Sequence, residues 1–204
     1  MAKIIIFDMG GVIQEKEVYQ STELSNKELF EKTGVILFPN NIRPSPKYEE
    51  VQIGKISLED YFQNLINLSK AKISVKELMK VYKQNYIKAT KFNPKMIKLV
   101  KDLRKKYAVA CLSDTTELHR QINEKRGLFK LFDFSFTSSG LGITKDEVKA
   151  FEIVIKKLKV KPKDCIFIDD KEGHVARAKS IGIDAIQFQS YAQLIEELKS
   201  RKII

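Results

Sequence analysis

The run Ile4-Ile5-Ile6-Phe7, followed at once by Asp8-Met9-Gly10-Gly11, limits the folds open to this chain more than any other stretch. Four consecutive apolar residues with no polar alternation describe a strand covered on both faces, as in a parallel sheet. A carboxylate directly after such a strand stands at its C-terminal end, where open α/β sheets bind ligands. The paired glycines let the backbone turn sharply and approach a ligand closely. Asp8 is therefore a candidate for catalysis or metal binding, although an Asp in this position also serves as an ordinary helix cap.

Similar segments recur downstream. Ala108-Val109-Ala110-Cys111-Leu112 runs into Ser113-Asp114, and Cys165-Ile166-Phe167-Ile168 runs into Asp169-Asp170. Asp184 to Phe188 and Phe134 to Thr137 are shorter strand candidates. Helical patterns separate them. Asn93-Pro94, an N-cap and N1 pair, opens a helix to about Lys106. Asp146 to Lys159 carries Val148, Phe151, Val154, Ile155 and Leu158 at helical spacing, and Lys171–Ile181 and Tyr191–Lys199 follow. Strands alternating with helices predict an α/β protein with a Rossmann-like, doubly wound parallel sheet.

The interval between the first two strands is too long for one crossover. Residues 14–92 hold no convincing strand, but they hold repeated helix starts. Ser25–Glu28, Ser57–Asp60 and Ser74–Glu77 fit the capping-box pattern. Gly34 and Gly54 read as helix stops, and Asn40 to Pro46 reads as a loop. The expected organisation is a core of residues 1–13 and 93–204 with a small helical cap, 14–92, inserted after the first strand. An insert there emerges beside the active end of the sheet.

The 204 residues suffice for one sizeable core with an appended unit. No apolar stretch approaches the roughly 20 residues that span a bilayer, and Met-Ala-Lys leads straight into a strand without a signal-peptide pattern. A soluble cytoplasmic protein without membrane partners is the expectation. Cys111 and Cys165 lie inside strand-like runs at a spacing that suits neither zinc nor redox chemistry, so they read as buried, reduced thiols. The net charge of +11 raises nucleic-acid binding, but the lysines are scattered over the helices without interleaved aromatics. A lysine-rich solvated surface that draws in an anionic small molecule is the expectation instead.

The strand ends carry Asp8, Ser113 with Asp114, and Asp169 with Asp170. In a parallel sheet they meet on one rim. Three converging carboxylates repel one another unless something positive joins them. A hard cation that prefers oxygen ligands, Mg²⁺ above all, resolves this. Ser113 and nearby backbone N–H groups can then hold a phosphate oxygen, and Lys145 can supply fixed positive charge. Taken singly, Ser113 reads as a turn residue and Lys145 as one of 37 basic residues.

The ordered set resembles the haloacid dehalogenase superfamily over nearly the whole chain. Its motifs are matched by Phe7-Asp8-Met9-Gly10-Gly11-Val12, by Cys111-Leu112-Ser113-Asp114-Thr115, by Gly142-Ile143-Thr144-Lys145 with Phe151 beyond, and by Phe167-Ile168-Asp169-Asp170 followed by Val175, Ala178 and Gly182. Tyr48-Glu49-Glu50, Gly54-Lys55-Ile56-Ser57 and Tyr61-Phe62 are similar to the helical cap of the sugar-phosphate phosphatases and of the epoxide hydrolase phosphatase domain. The resemblance implies a Mg²⁺-dependent phosphatase acting on a small phosphorylated metabolite through an aspartyl-phosphate. It implies Asp8 as nucleophile and metal ligand, the Gly10 carbonyl and Asp170 as further ligands, and Asp169 behind them or acting through a water. Ser113 and Lys145 are implied to bind the transferring phosphoryl group, with Asp114, Gly10 and Gly11 lining the substrate site.

The chain departs from the family pattern at informative places. The residue two after the nucleophile, usually an acid that moves protons, is Gly10. That leaves three expectations: a substrate whose leaving group needs little protonation (an anomeric or acyl phosphate), a substitute acid such as Glu15, or a weak or inactive ligand-binding protein. A carbon–halogen hydrolase is a further alternative, but that branch usually carries an aromatic residue at the Gly10 position, needs no metal and lacks the acidic pair. Asp146 replaces a common proline, and Asp114 and His174 stand where asparagines are frequent. His174 reads as a helix residue rather than a ligand, and His119 as a helix residue without a role.

Overall fold

The structure is a computed structural model that describes residues 4–15, 27–35, 37 and 46–204. Its centre is a sheet of five parallel strands, β1 (Ile4–Phe7), β2 (Ala108–Ser113), β3 (Phe134–Thr137), β4 (Cys165–Asp169) and β5 (Asp184–Gln187), in the order β3-β2-β1-β4-β5. Every strand expected from the sequence forms. The first is central, flanked by β2 and β4, with Phe7 in register with Cys111 and Ile168. Chain order runs outward from β1 in both directions, so the topological switch point lies at β1, beside β4. Ligands of doubly wound sheets bind at such a crevice.

Both faces of the sheet are covered, which explains the continuous apolar runs. Ile5 and Phe7 pack with α5 (Pro94–Leu103) and α10 (Tyr191–Ser200) on one face. Ile4 and Ile6 pack with α8 (Val148–Leu158) and α9 (Glu172–Ser180) on the other, where Phe151 meets Phe167 edge-on at 5.1 Å. Both cysteines are buried and unbonded to each other, and burial pushes each thiol up to about 12. No helix among the described residues is long and apolar enough to cross a membrane.

Between β1 and β2 the described residues are helical: 27–33 (α1), Pro46–Gln52 (α2), Leu58–Ser69 (α3) and Val75–Ala89 (α4). They bury their own apolar cluster, including Leu29, Val51, Tyr61, Phe62 and Leu78. Ser74 and Glu77 form a complete capping box; Ser57 caps Asp60 N–H, but the shorter Asp60 side chain turns to the Ser57 hydroxyl instead of its backbone. Gly34 and Gly54 end helical turns at φ +70° and +73°. The start of the Ser25–Glu28 pattern and residues 40–45 of the expected loop lie outside the described residues, while Pro46 opens α2. The chain leaves and re-enters the sheet through paired connections: Gln14 bridges Phe92, and Asn93 N–H donates to Ile13 O at 2.9 Å.

Most helix bounds agree with the sequence reading to within one residue, and two differ by more. The helix expected to reach Lys106 stops at Leu103, where Arg104 caps it and reaches Asp133 at 2.9 Å. The helix expected from Asp146 begins at Val148, because 144–147 form a turn, with Glu147 N–H on Thr144 O at 3.2 Å. The C-caps Lys70 and Lys159 adopt the left-handed conformation at φ 53° and 56°, where a Cβ crowds the backbone. Lys159→Gly relieves this at some cost in unfolded-chain entropy, for a net gain of about 0.5–1 kcal/mol. A higher denaturant midpoint at unchanged slope is expected; an unchanged or lower midpoint contradicts the assignment.

Candidate active site

The rim assembles because three neighbouring strands end at the same level. Asp8 continues β1, its N–H donating to Ile168 O at 2.8 Å. Asp169 ends β4, Asp170 follows it, and Ser113 ends β2 beside Thr137. Asp8, Asp169 and Asp170 each present an oxygen within 4.8 Å of the others. Gly11 makes this approach possible. At φ +75° its Cβ would stand 2.5 Å from Asp170 Oδ2, so any side chain there would displace the carboxylate.

Lys145 is not a solvated lysine. It is 1% exposed, and its Nζ lies 2.6 Å from both Asp8 Oδ1 and Asp169 Oδ2. Its ammonium lies 5.8 Å from the centroid of the Phe167 ring, and its backbone N–H donates to Asp114 Oδ1 at 3.0 Å. The Asp114 carboxylate thus holds the backbone that delivers the ammonium. Asp169 is fixed from all sides: Oδ1 accepts Lys171 N–H at 2.8 Å, and Oδ2 also faces His174 Nδ1 at 2.9 Å.

Burial alone pulls the Lys145 ammonium down, but Asp8, Asp169 and Asp114 outweigh it and hold the group charged well above the ordinary lysine range. Burial also works against an ionised Asp169, yet Lys145 and His174 keep it well below the ordinary carboxylate range. Asp8 goes the other way. Burial, with Asp169 alongside, pushes it from 3.8 up to about 7 against the pull of Lys145. One ammonium does not fully offset two buried carboxylates, and the remaining electrostatic demand is for another positive charge. The donors that would meet it are hard carboxylate oxygens, which suit Mg²⁺.

The sequence did not reveal two buried groups. Ser138, just past β3, accepts Thr115 N–H at 2.9 Å and donates to Gln52 O at 2.7 Å, joining α2 to the segment after Ser113. The strand-end logic that selected Ser113 applies equally to Ser138. His174 is 3% exposed and sits against Asp169 rather than simply facing a helix. His119, on α6 (Glu117–Lys125), stacks on Tyr86 of α4 at 3.7 Å, and burial pushes its imidazole down to about 3. It therefore joins the inserted helices to the core. Glu15 lies on the connecting segment, its N–H on Lys91 O at 3.1 Å, and its side chain makes no ion pair with Lys145 among the described residues.

A family model described as haloacid dehalogenase-like hydrolase matches residues 2–182. The chain belongs to that family. It is 24% identical to the D-ribitol-5-phosphate phosphatase of Bacteroides thetaiotaomicron, over 97% of both chains. It is 26% identical to a sesquiterpene phosphatase of Aspergillus oryzae, over 97% of this chain and 95% of the other. A solved family enzyme of B. thetaiotaomicron, in complex with magnesium and inorganic phosphate, superposes with a TM-score of 0.75 at 18% identity, covering 96% of this chain and 99% of that one. A 2-haloacid dehalogenase of Pseudomonas syringae superposes at 0.62 with 15% identity, over 98% of this chain and 100% of that one. The fold therefore houses both chemistries, and the side chains of the rim must discriminate between them.

The raised Asp8 value predicts a pH signature in metal-free buffer. Between 3.8 and about 7 the folded protein binds the Asp8 proton more tightly than the unfolded chain, so this contribution to stability is lost as pH rises through that window. Asp8→Asn removes it. The variant should gain about 2–3 kcal/mol on wild type between about pH 5 and pH 8. A difference that does not change with pH would contradict the assignment.

Proposed function

We propose that this hydrolase is a Mg²⁺-dependent phosphatase for a small phosphorylated metabolite, such as a sugar phosphate, working through an aspartyl-phosphate on Asp8. The observation that carries the reading is the convergence of Asp8, Asp169 and the half-buried Asp170, with only Asp8 and Asp169 paired to the buried Lys145. A carboxylate attacking a phosphate ester meets a dianion, so the site must supply positive charge beyond one lysine. Attack on a neutral carbon–halogen bond has no such need, which argues against the dehalogenase alternative. The phosphatase names of the two relatives, and the magnesium and phosphate bound to the structural neighbour, support the same direction.

In this reading residues 14–92 form the cap over the rim, and 1–13 with 93–204 form the catalytic core. Asp8, Asp170 and the Gly10 carbonyl would hold Mg²⁺, with Asp169 behind them. The bound ion would neutralise charge on the transferring phosphoryl group. An Asp8 oxygen attacks phosphorus, an Asp8–phosphorus bond forms and the bond to the leaving oxygen breaks. Ser113 and Lys145 hold the phosphoryl oxygens, with Asp114, Gly10 and Gly11 shaping the substrate side. Water then attacks phosphorus, releases inorganic phosphate and restores Asp8.

Gly10 offers no side chain to protonate the leaving oxygen, and general acid–base catalysis is typically worth about 10²–10⁴-fold. The site therefore favours leaving groups that depart without a proton, as in anomeric or acyl phosphates. A panel of sugar, nucleotide and acyl phosphates tests this. Phosphate release should occur with Mg²⁺, vanish with EDTA and with Asp8→Asn, and run fastest for acyl and anomeric substrates. Metal-independent halide release would overturn the reading in favour of the dehalogenase. Ligand binding without turnover would assign the chain as a non-catalytic member of the family.

A further inference from the structure

We propose that His174 is a positioning residue that sets how Lys145 divides between Asp8 and Asp169; its effect on turnover rests on the phosphatase reading above. Asp169 Oδ2 faces two groups at once, Lys145 Nζ at 2.6 Å and His174 Nδ1 at 2.9 Å. Both Asp169 oxygens already accept, Oδ1 from Lys171 N–H and Oδ2 from the Lys145 ammonium, so the carboxylate meets His174 Nδ1 as an acceptor and Nδ1 carries the proton and donates it. The other ring nitrogen looks toward Asp114 Oδ2 at 3.8 Å and Asp146 Oδ1 at 3.6 Å. Asp114 in turn holds the Lys145 backbone N–H at 3.0 Å. His174 thus stands between the two carboxylates that fix the two ends of Lys145.

The consequence follows from charge. An ammonium placed 2.6 Å from each of two carboxylates stays centred only if neither outbids the other. Lys145 Nζ is aligned to donate a hydrogen bond to Asp169 Oδ2, whereas Asp8 Oδ1 meets it as an ion pair, so Asp169 has the better-directed claim on the ammonium. The His174 N–H satisfies part of the Asp169 charge and leaves Lys145 in contact with Asp8. The ring is in turn fixed by its backbone. Its N–H donates to Lys171 O at 3.1 Å, and Lys171 N–H donates to Asp169 Oδ1 at 2.8 Å, so the start of α9 and Asp169 move as a unit. Without the imidazole donor, Lys145 shifts toward Asp169 and away from both the nucleophile and the phosphoryl group.

Two substitutions separate a hydrogen-bonding role from simple packing. His174→Asn places an amide N–H where Nδ1 stood, and His174→Leu fills the space without a donor. With Mg²⁺ and a phosphate ester that wild type hydrolyses, His174→Leu should lower kcat roughly ten- to hundredfold, the range seen when a group supporting a metal site is removed. His174→Asn should stay within about threefold of wild type, and calorimetric binding of inorganic phosphate should follow the same order. Equal losses in both variants, or no loss in either, would overturn the proposal. The chain holds two histidines, so ¹⁵N spectra of the wild-type imidazoles give a readout independent of activity and of variant folding. His174 should show a protonated Nδ1, and an unprotonated Nδ1 would overturn the proposal. Failure of wild type to hydrolyse or bind any phosphate would refute the phosphatase reading, while the ¹⁵N result would still decide the hydrogen bond.

Discussion

The ammonium of Lys145, 2.6 Å from both Asp8 and Asp169, is the contact on which the rim of the sheet depends. Two carboxylates buried side by side repel each other, and each loses the hydration it would have in water. A single buried cation makes their coexistence possible. Removing one partner from such a cluster leaves an uncompensated charge, which typically costs about 3–5 kcal/mol. The cluster is therefore tense, and that tension is useful. It leaves Asp8 short of positive charge, with a carboxyl pushed up to about 7, and favours any further cation that arrives between Asp8 and Asp170.

The fold supplies this contact from elements far apart in sequence. Asp8 and Asp169 come together because β1 and β4 are neighbours at the switch point of the sheet. Lys145 comes from the turn between α7 (Ser138–Leu141) and α8, and that turn displaces the start of α8 to Val148. Asp114, at the end of β2, holds the turn by its backbone, so the ammonium enters already directed. The inserted helices attach to the same region. Ser138 ties α2 to Thr115, and His119 stacks on Tyr86, so α2 and α4 are docked beside the segment that follows Ser113.

Much of this arrangement was legible in the sequence, for identifiable physical reasons. The central strands show as unbroken apolar runs because helices cover both faces. The edge strand β3 is fainter, since Phe134 and Ser135 are exposed and relax the pattern. Asp8, Ser113, Asp169 and Asp170 are visible as polar residues that end such runs. Lys145 is different. Its place just before a helix made it a candidate source of positive charge, but little local distinguishes it among 37 basic residues, and its role at the phosphoryl group came only from the family resemblance. Ser138 was legible as a strand-end residue but was not singled out, and the partners of both Ser138 and His174 are set by the order of strands in the sheet and the docking of the insert, which local spacing does not encode. The late start of α8 was hidden for a related reason: residues 144–147 have helical composition but are drawn into a turn by the Lys145 backbone contact to Asp114.

In the proposed mechanism Asp8 is the nucleophile and would carry the phosphoryl group as an aspartyl-phosphate during turnover. Rapid acid quenching of enzyme with Mg²⁺ and an acyl or anomeric phosphate, followed by borohydride reduction and peptide mass analysis, tests this most directly. The account predicts trapped phosphate on the peptide containing Asp8 and its reduction to homoserine at that position. Steady phosphate release with no modification of Asp8 at any quench time would contradict it.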